Sequence, residues 1–287
     1  MKTRELARVV TGMATSDGAG VRLRRSLGQS DGARLDPFLM LDEFASDDPD
    51  DYLAGFPPHP HRGFETVTYM LEGHMLHEDH LGNRGDLRSG GVQWMTAAAG
   101  IIHSEMPQQE SGRMHGFQLW INLPAREKMK APSYRDIPPE GIPEATFDGG
   151  RARIIAGAWR ELTGAVHGVS TEPLFLDVAL DAGAMLRQEI PAGHNAFLYM
   201  WDGEAAVGAG GTGRGLPSGS AGLLGDGDLV EVTAGDHGAR FLLLAAKPLG
   251  EPVVQYGPFV MNTREEIAQA LADYRTGTLA REAKRGA

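Results

Sequence analysis

The chain has 287 residues, 41% of them hydrophobic, which is enough for about two domains that each bury a core. It contains no cysteine, so disulfide bonds and thiolate-bound zinc are excluded. Its 38 acidic and 27 basic residues give a formal net charge of −11, which would repel a phosphate backbone and argues against direct nucleic-acid binding.

The first half of the chain predicts a succession of short strands. Stretches rich in β-branched and aromatic residues are bounded by turn residues, and the 39 glycines and 17 prolines favour many turns. The predicted strands span residues 6–11, 21–26, 37–43, 66–71, 74–80, 90–96, 100–105 and 116–123. This pattern indicates a β-rich fold.

The second half predicts further strands and one helix. Prolines at 124, 132, 138, 139 and 143 interrupt the pattern and predict a proline-rich linker over residues 131–145. Strands are predicted to resume at 152–157, 174–180, 197–201, 227–233 and 239–246. Thr263 and Glu266 have the form of a capping box, and Ile267, Leu271 and Tyr274 follow at helical spacing. We expect this helix to pack on the outside of a barrel.

The two halves also resemble each other, which predicts a duplicated domain. Residues 69–73 (YMLEG) align with 199–203 (YMWDG), and residues 90–97 align with 227–234 if the glycine-rich loop 208–222 is an insertion. This alignment places Glu189, Pro191, Arg240 and Leu242 opposite His59, His61, His103 and Glu105, in that order. We therefore predict that the second half carries no metal ligands.

Two short motifs predict a metal site. His59-Pro60-His61 and His103-Ser104-Glu105 each place two side chains on one face of an extended strand, because residues two apart point the same way. Pro57, Pro58 and Pro60 argue against a helix at the first motif. Two such strands that meet would offer three nitrogens and one oxygen to a divalent iron, manganese, nickel, copper or zinc ion.

Four other histidines receive weaker predictions. His74, His77 and His80 recur every three residues, a spacing that does not place all three on one face of a hairpin strand, so we predict surface or rim positions. His115 follows the second motif by one strand. It would either orient a metal ligand or form hydrogen bonds in the core.

Several stretches resemble signature motifs of the pirin family, within the cupin superfamily. They are PHRGFETVTY (60–69), WMTA (94–97), GIIHSE (100–105) and HGFQLW (115–120), and the likeness extends from residue 36 to residue 262. The resemblance implies an all-β bicupin, with two antiparallel jelly-roll β-barrels and a C-terminal helix. Residues 1–130 would form the barrel with the metal site, and 146–287 the barrel without metal ligands, with the helix.

The resemblance also implies a function. His59, His61, His103 and Glu105 match the four ligand positions of the family, and Glu105 would act as a base as well. The cofactor would be one divalent ion, Fe²⁺ in the first place, with Mn, Ni, Cu, Co or Zn as alternatives. Some members are quercetin 2,3-dioxygenases, which open flavonols with O₂. Others are non-enzymatic, metal- or redox-dependent regulators that bind a transcription factor or a metabolic enzyme, which would give the chain a protein partner.

The N-terminal residues and the hydropathy of the chain predict its location. Residues 1–10 carry charges throughout and lack the apolar core of a secretion signal. No apolar run reaches the length that a membrane-spanning helix needs. We therefore expect a cytoplasmic protein with no membrane contact, and we expect it to be a monomer.

Overall fold

The protein was analysed as a computed structural model, which describes residues 1–30, 33–211 and 213–280. The first strands are β1 (Leu6–Thr11), β2 (Met13–Asp17), β3 (Val21–Leu27), β4 (Phe38–Ser46), β5 (Phe56–His61), β6 (Phe64–Glu72), β7 (His74–Asp79), β8 (Arg84–Arg88), β9 (Val92–Thr96), β10 (Ile101–Pro107), β11 (Met114–Asn122) and β12 (Ser133–Ile137). They are followed by β13 (Glu144–Phe147), β14 (Gly150–Ala156), β15 (Ala158–Trp159), β16 (Leu162–Thr163), β17 (Leu174–Leu180), β18 (Met185–Glu189), β19 (Asn195–Val207), β20 (Arg214–Pro217), β21 (Ser220–Leu224), β22 (Leu229–Ala246), β23 (Val254–Tyr256) and β24 (Phe259–Met261). Helix α1 spans Arg264–Arg275.

The chain divides into two compact units. Unit I comprises residues 14–25, 38–139 and the described part of 249–287, and unit II comprises residues 1–13, 26–37 and 140–248. Both are built from antiparallel strands, so the predicted all-β class is confirmed. Among the described residues, no helix has both the length and the apolar character needed to cross a membrane.

The described residues of unit I form two main sheets and the two-stranded sheet β23-β24. The seven-stranded sheet has the order β12-β9-β6-β11-β4-β3-β2, and the four-stranded sheet has the order β5-β10-β7-β8. Every residue of β9 and most of β6 are buried, as expected for strands covered on both faces. The sheets are not closed barrels, because each retains edge strands.

Unit II repeats this topology in one nine-stranded sheet. Its main order is β1-β21-β19-β22-β17-β14-β13, while β18 pairs with β22 and β20 pairs with β19. The long strands β19 and β22 therefore pair with several partners along their length. The register of the β19–β22 pairing shifts between Met200 and Asp202 and between Gly203 and Ala205. Gly203, with φ of +71°, provides a backbone conformation that residues with a side chain rarely adopt.

The topology corrects the predicted alignment of the two halves. The part of β22 that pairs with β18 occupies the place of β10, and the part that pairs with β17 occupies the place of β11. Arg240 and Leu242 lie in the second part, so their alignment with the β10 residues His103 and Glu105 is wrong. The error arises because β20 and most of β21 fall within residues 208–222, the loop that was treated as an insertion. Strand β22 also carries the buried apolar residues Val230 and Val232 in its first part.

The two units are not continuous in sequence, so their bounds differ from the predicted division 1–130, 131–145 and 146–287. Strand β1 pairs with β21 in unit II, and the predicted capped helix, confirmed as α1, packs against β23 and β24 in unit I. The segment 131–145 contains β12, an edge strand paired with β9, and the start of β13, paired with β14. A proline-rich segment can pair at an edge because one side of the strand needs no partner. Residues 281–287 lie outside the described residues.

Candidate metal centre

Strands β5 and β10 bring the two predicted motifs together. They pair antiparallel, with His103 opposite His59. One donor atom each from His59, His61 and His103 can be chosen so that all three lie within 4.8 Å of one another. The ring centroids of His59 and His61 are each less than 5 Å from that of His103, at 4.4 and 4.9 Å. The two-residue spacing within each extended strand places the members of each motif on one face, and the pairing of β5 with β10 brings the two motifs together.

The local structure of β5 aims the ring of His59. Proline fixes φ in the extended range and has no N–H to donate, so the Pro57-Pro58-His59-Pro60 run can only be an extended edge segment. His59 Nδ1 lies 2.9 Å from the carbonyl oxygen of Pro57 and can donate to it. This tautomer leaves a lone pair on Nε2, which faces His61 Nε2 at 3.0 Å.

Burial keeps the other two histidines neutral. His61 and His103 are each only 2% exposed, whereas His59 is half-buried. Desolvation lowers the pKa of His61 well below its usual value, and the neighbouring His59 lowers it further. Burial likewise lowers the pKa of His103, with additional effects from His61, His59 and His77. Neutral imidazole is the form that binds a metal, so the arrangement favours coordination over protonation.

The described residues fit a divalent cation. His103 Nε2 is buried and has no hydrogen-bond partner in the structure, and a buried polar atom of this kind needs one. Phe64 and Trp120 pack around the ring of His61 at centroid distances of 5.1 and 5.3 Å, which restricts its orientation. Three neutral nitrogens in a fixed cluster suit the borderline first-row metals.

Glu105 follows His103 on the same face of β10, as the alternating burial of the strand shows. Its side chain is buried, and Oε1 accepts a hydrogen bond from Thr68 Oγ1 at 2.9 Å. Thr68 Oγ1 also lies 2.5 Å from Gln118 Oε1, and its single hydrogen can serve only one of the two oxygens. Glu105 does not belong to the group whose donor atoms lie within 4.8 Å of one another. Its role as a fourth ligand stays a prediction.

His77 lies beside this centre, contrary to the prediction from the sequence. It was predicted at the surface or rim, but it is 1% exposed and its Nδ1 lies 3.2 Å from His103 Nδ1. The signal that could have found it is the spacing of His77 and Asp79, which are two apart in β7 and so share a face. His74 pairs with Asp86 and is partly exposed, and His80 is exposed, so those two agree with the prediction.

His115 fits one of its two predicted alternatives. Its Nε2 lies 3.0 Å from Glu43 Oε1, and both side chains are buried. A buried imidazole beside a carboxylate satisfies the polar groups of both residues. The structure therefore supports the hydrogen-bonded core role.

The C-terminal segment of unit I supports the end of the ligand strand β5. Arg62, the residue after His61, donates from Nη1 to Asp273 Oδ2 of α1 at 2.7 Å and from Nε to Ala99 O at 2.5 Å. The buried ammonium of Lys128 donates to Gly63 O and Val260 O at 2.6 and 2.9 Å. Burial lowers the pKa of Lys128 to about 8. Helix α1 and strand β24 thereby hold the backbone that carries His61.

We expect Asp273→Asn to destabilise unit I in a pH-dependent way. The hydrogen bond from Arg62 lowers the pKa of Asp273 below its usual value. The ion pair therefore stabilises the fold above about pH 4, and this contribution is lost as the pH falls through the folded-state pKa. At neutral pH the variant should lose about 1–2 kcal/mol of unfolding free energy in urea titrations, since Asp273 is partly exposed.

The matched control for this prediction is Glu265→Gln, an exposed acidic residue in the first turn of the same helix. It should cost about 0.5 kcal/mol or less. Equal losses for the two variants, or a loss for Asp273→Asn that persists unchanged at pH 3, would contradict the proposed contribution of the ion pair.

Comparisons with known proteins identify relatives for both halves. The family profile described as Pirin matches residues 20–121, and the profile described as Pirin C-terminal cupin domain matches residues 175–280. The two matches fall in different halves of the chain and together cover more than half of it. They agree with the repeated topology of units I and II.

Three individual proteins illustrate the similarity. A Pseudomonas aeruginosa protein with the provisional name quercetin 2,3-dioxygenase is 54% identical, with 96% of this chain and 98% of that protein covered. A pirin-like protein of Caulobacter vibrioides is 50% identical, with coverage of 96% and 99%. The crystal structure of quercetin 2,3-dioxygenase from Acinetobacter baumannii superposes with a TM-score of 0.90 at 31% identity, covering 97% of this chain and 99% of that one.

Proposed function

The chain belongs to the pirin family, and from this premise we propose that it is a metal-dependent dioxygenase that opens flavonols such as quercetin with O₂. The observation that carries the proposal is the cluster of His59, His61 and His103 at the β5–β10 pair. The provisional name of the Pseudomonas protein and the name of the Acinetobacter structure support the same reaction class. We further propose that Glu105 is the fourth ligand and that the ion is Fe²⁺.

The exposure of the cluster supports access for a planar substrate from one side. His61 and His103 are buried, whereas His59 is half-buried and the neighbouring Pro57 and Pro58 are exposed. His59 is therefore the most accessible of the three rings, while Phe64 and Trp120 pack against the ring of His61. We propose that substrate and O₂ enter from solvent on the side of His59.

The bound cation would act as a Lewis acid that favours the anionic form of the flavonol 3-hydroxyl. The three histidines contribute no charge, so a divalent ion with one carboxylate leaves a net charge of +1 at the site, which favours an oxyanion. Burial holds His61 and His103 in place, and the rings of Phe64 and Trp120 pack against His61, so these histidines would hold the ion in a fixed position.

Glu105 is the residue that we propose accepts the proton of the 3-hydroxyl. Its carboxylate is buried beside Thr68, which can donate to Oε1 and leave Oε2 to take the proton. Thr68 Oγ1 can instead donate to Gln118, so this hydrogen bond can adjust when the carboxyl group becomes neutral. A carboxylate beside a switchable donor is suited to take up and return one proton.

The overall reaction balances without an external reductant. Both atoms of O₂ enter the product, two carbon–carbon bonds of the flavonol heterocycle break, and the carbon between them leaves as carbon monoxide. The other product is a depside. The flavonolate supplies the electrons, which is why the protein needs to provide only orientation, a proton acceptor and a metal site.

Glu105→Gln tests this function. We expect aerobic incubation of the metal-loaded parent protein with quercetin to consume O₂ and release carbon monoxide, and we expect kcat to fall about 10²- to 10⁴-fold in the variant. Glutamine keeps the size of the side chain and can still accept from Thr68. Metal content should be measured in the same samples, because Glu105 is also a proposed ligand. Glu110→Gln, in an exposed position after β10, is the matched control and should keep the parent rate.

Two results would overturn the proposal. Turnover by the parent that does not exceed free metal would show that the chain does not catalyse the reaction. With metal still bound, that result would favour the alternative of a non-enzymatic regulator with a protein partner. Full activity of Glu105→Gln with full metal content would instead remove Glu105 from the proton-accepting role.

A further inference from the structure

His77 and Asp79 form a buried polar pair next to His103 that the function described above does not use. The two residues are opposite Glu105 and His103, respectively, in the pairing of β7 with β10. His77 is 1% exposed, and the side chain of Asp79 is fully buried. Burying an imidazole and a carboxylate costs free energy unless each has partners, so this arrangement calls for an explanation.

The contact between the two imidazoles constrains their protons. Nδ1 of His77 lies 3.2 Å from Nδ1 of His103, so one nitrogen must donate and the other accept. If His103 donates, His77 carries its own proton on Nε2. That nitrogen is buried without a hydrogen-bond partner and lies 3.6 Å from Asp79 Oδ2, slightly beyond a direct hydrogen bond. The nearby negative charge favours an N–H dipole over a lone pair at this position.

Asp79 is itself fixed. Its Oδ1 accepts from the backbone N–H groups of Leu81 and Asn83 at 2.9 and 3.0 Å, and its Oδ2 accepts from Asn83 Nδ2 at 2.8 Å. These bonds belong to the turn between β7 and β8, which holds the carboxylate in one orientation. Asp79 therefore presents a stationary negative charge to His77.

The ring of His77 is fixed as well. Tyr134 of β12 stacks on it with a centroid distance of 4.3 Å and an interplanar angle of 18°. The stacking holds the ring plane, and a 180° turn of the ring would put Cδ2 in place of Nδ1 and lose the 3.2 Å contact with His103, so Nδ1 stays directed at His103. Asp79 therefore lies next to His77, His77 contacts His103, and His103 forms the cluster with His59 and His61.

We propose that His77 and Asp79 are positioning residues that hold the proton of His103 on Nδ1, so that the lone pair of its Nε2 faces the metal. Of the two ring nitrogens of His103, Nε2 is the one without a hydrogen-bond partner in the described structure, and a metal would fill that position. The second nitrogen of a metal-binding histidine is usually held by a hydrogen bond to a carboxylate or carbonyl. Here an intervening imidazole transmits the influence of the carboxylate. The inference rests on the metal site of the proposed function, but not on its catalytic activity.

Metal binding tests the inference independently of turnover. We expect Co²⁺ alone, titrated into the metal-free parent and followed by its visible absorption and by chelator competition, to bind at one ion per chain. His77→Phe keeps a ring to stack on Tyr134 but removes the acceptor, and should weaken Co²⁺ binding about 10- to 100-fold. His77→Asn keeps an acceptor near the position of Nδ1 and should restore affinity to within about threefold of the parent.

Two controls separate positioning from folding. His74→Phe replaces a histidine of the same strand that pairs with Asp86, and it should leave Co²⁺ affinity unchanged. Asp79→Asn removes the charge but keeps the shape, and should weaken binding less than His77→Phe does. The Co²⁺ absorption spectrum of each variant should be compared with that of the parent, because a merely structural role of His77 would leave the coordination spectrum unaltered. Thermal unfolding shows whether each variant is folded.

A second measurement uses only the parent protein. In a Zn²⁺-loaded sample with ¹⁵N-labelled histidine, NMR should find His103 protonated on Nδ1 and His77 protonated on Nε2. The inference is overturned if His77 carries its proton on Nδ1, or if His77→Phe binds Co²⁺ like the parent. It is also overturned, together with the metal site, if the parent binds no Co²⁺. If Co²⁺ binding depends on His77 but quercetin is not consumed, the proposed function fails and the inference stands.

Discussion

Replacing His61 with alanine is expected to abolish metal retention and with it all quercetin turnover. His61 is buried at 2% exposure, its Nε2 lies 3.0 Å from that of His59, and it belongs to the three-histidine cluster. If about 12 kcal/mol of binding free energy is shared by four ligands, one ligand contributes about 3 kcal/mol, or roughly 100-fold in affinity. Loss of a buried ring also leaves a cavity that water can enter, which weakens the remaining ligands further.

The measurement is metal content by elemental analysis after gel filtration, with an aerobic quercetin assay on the same fractions. We expect one ion per chain in the parent and almost none in His61→Ala. His237→Ala, at an exposed position of unit II, is the matched histidine control and should retain its metal. Retention of a full equivalent of metal by His61→Ala would place the ion elsewhere and refute the proposed centre.

Replacing Gly63 with alanine is expected to produce the largest loss of folding stability. Gly63 has φ of +93°, and a Cβ built on it would lie 1.9 Å from the carbonyl oxygen of Val260 in β24. The backbone of Arg62 and Val260 is hydrogen-bonded at this point, with Val260 N donating to Arg62 O at 3.0 Å, so the strand cannot simply move away. Overpacking of about 1–3 kcal/mol adds to about 1 kcal/mol for the left-handed backbone. We expect a total of about 2–4 kcal/mol.

Gly82→Ala separates the two contributions. Gly82 has φ of +81° but nothing lies within 4 Å of a built Cβ, so its substitution should cost only the backbone term, about 1 kcal/mol. Urea titrations of the two variants should therefore differ by roughly 1–3 kcal/mol. Metal affinity should also fall in Gly63→Ala, because His61 lies two residues earlier, and should stay unchanged in Gly82→Ala. Equal costs would mean that the close approach to Val260 is unimportant.

The sequence was most informative where a short periodic pattern decides the structure. The alternation of side chains in strands placed His59 and His61 on one face and His103 opposite them, and the structure brings these three together. The capping box at Thr263 and Glu266 located the start of α1 to the residue. In both cases the governing interactions span only a few residues, so they can be read from neighbouring positions.

The sequence was least informative where distant segments meet. His77 was predicted at the surface or rim from the three-residue spacing of His74, His77 and His80. Its buried position beside His103 instead follows from the pairing of β7 with β10, which only the sheet order reveals. Arg62 and Asp273 are separated by 211 residues, and nothing near either one indicates the other. The alignment of the second half failed because β20 and most of β21 lie in the segment 208–222 that was treated as an inserted loop. Long-range pairing of this kind is set by topology rather than by local preference.

The crossing of the C-terminal segment into unit I has a consequence for biosynthesis. During translation His61 emerges early, but Val260 and Asp273, which secure its strand, are made about two hundred residues later. A nascent chain can pair β5 with β10 while still on the ribosome, yet it lacks the support of β24 and α1 until elongation is nearly finished. Loading of the cofactor is therefore expected to follow release of the finished polypeptide rather than to accompany its synthesis.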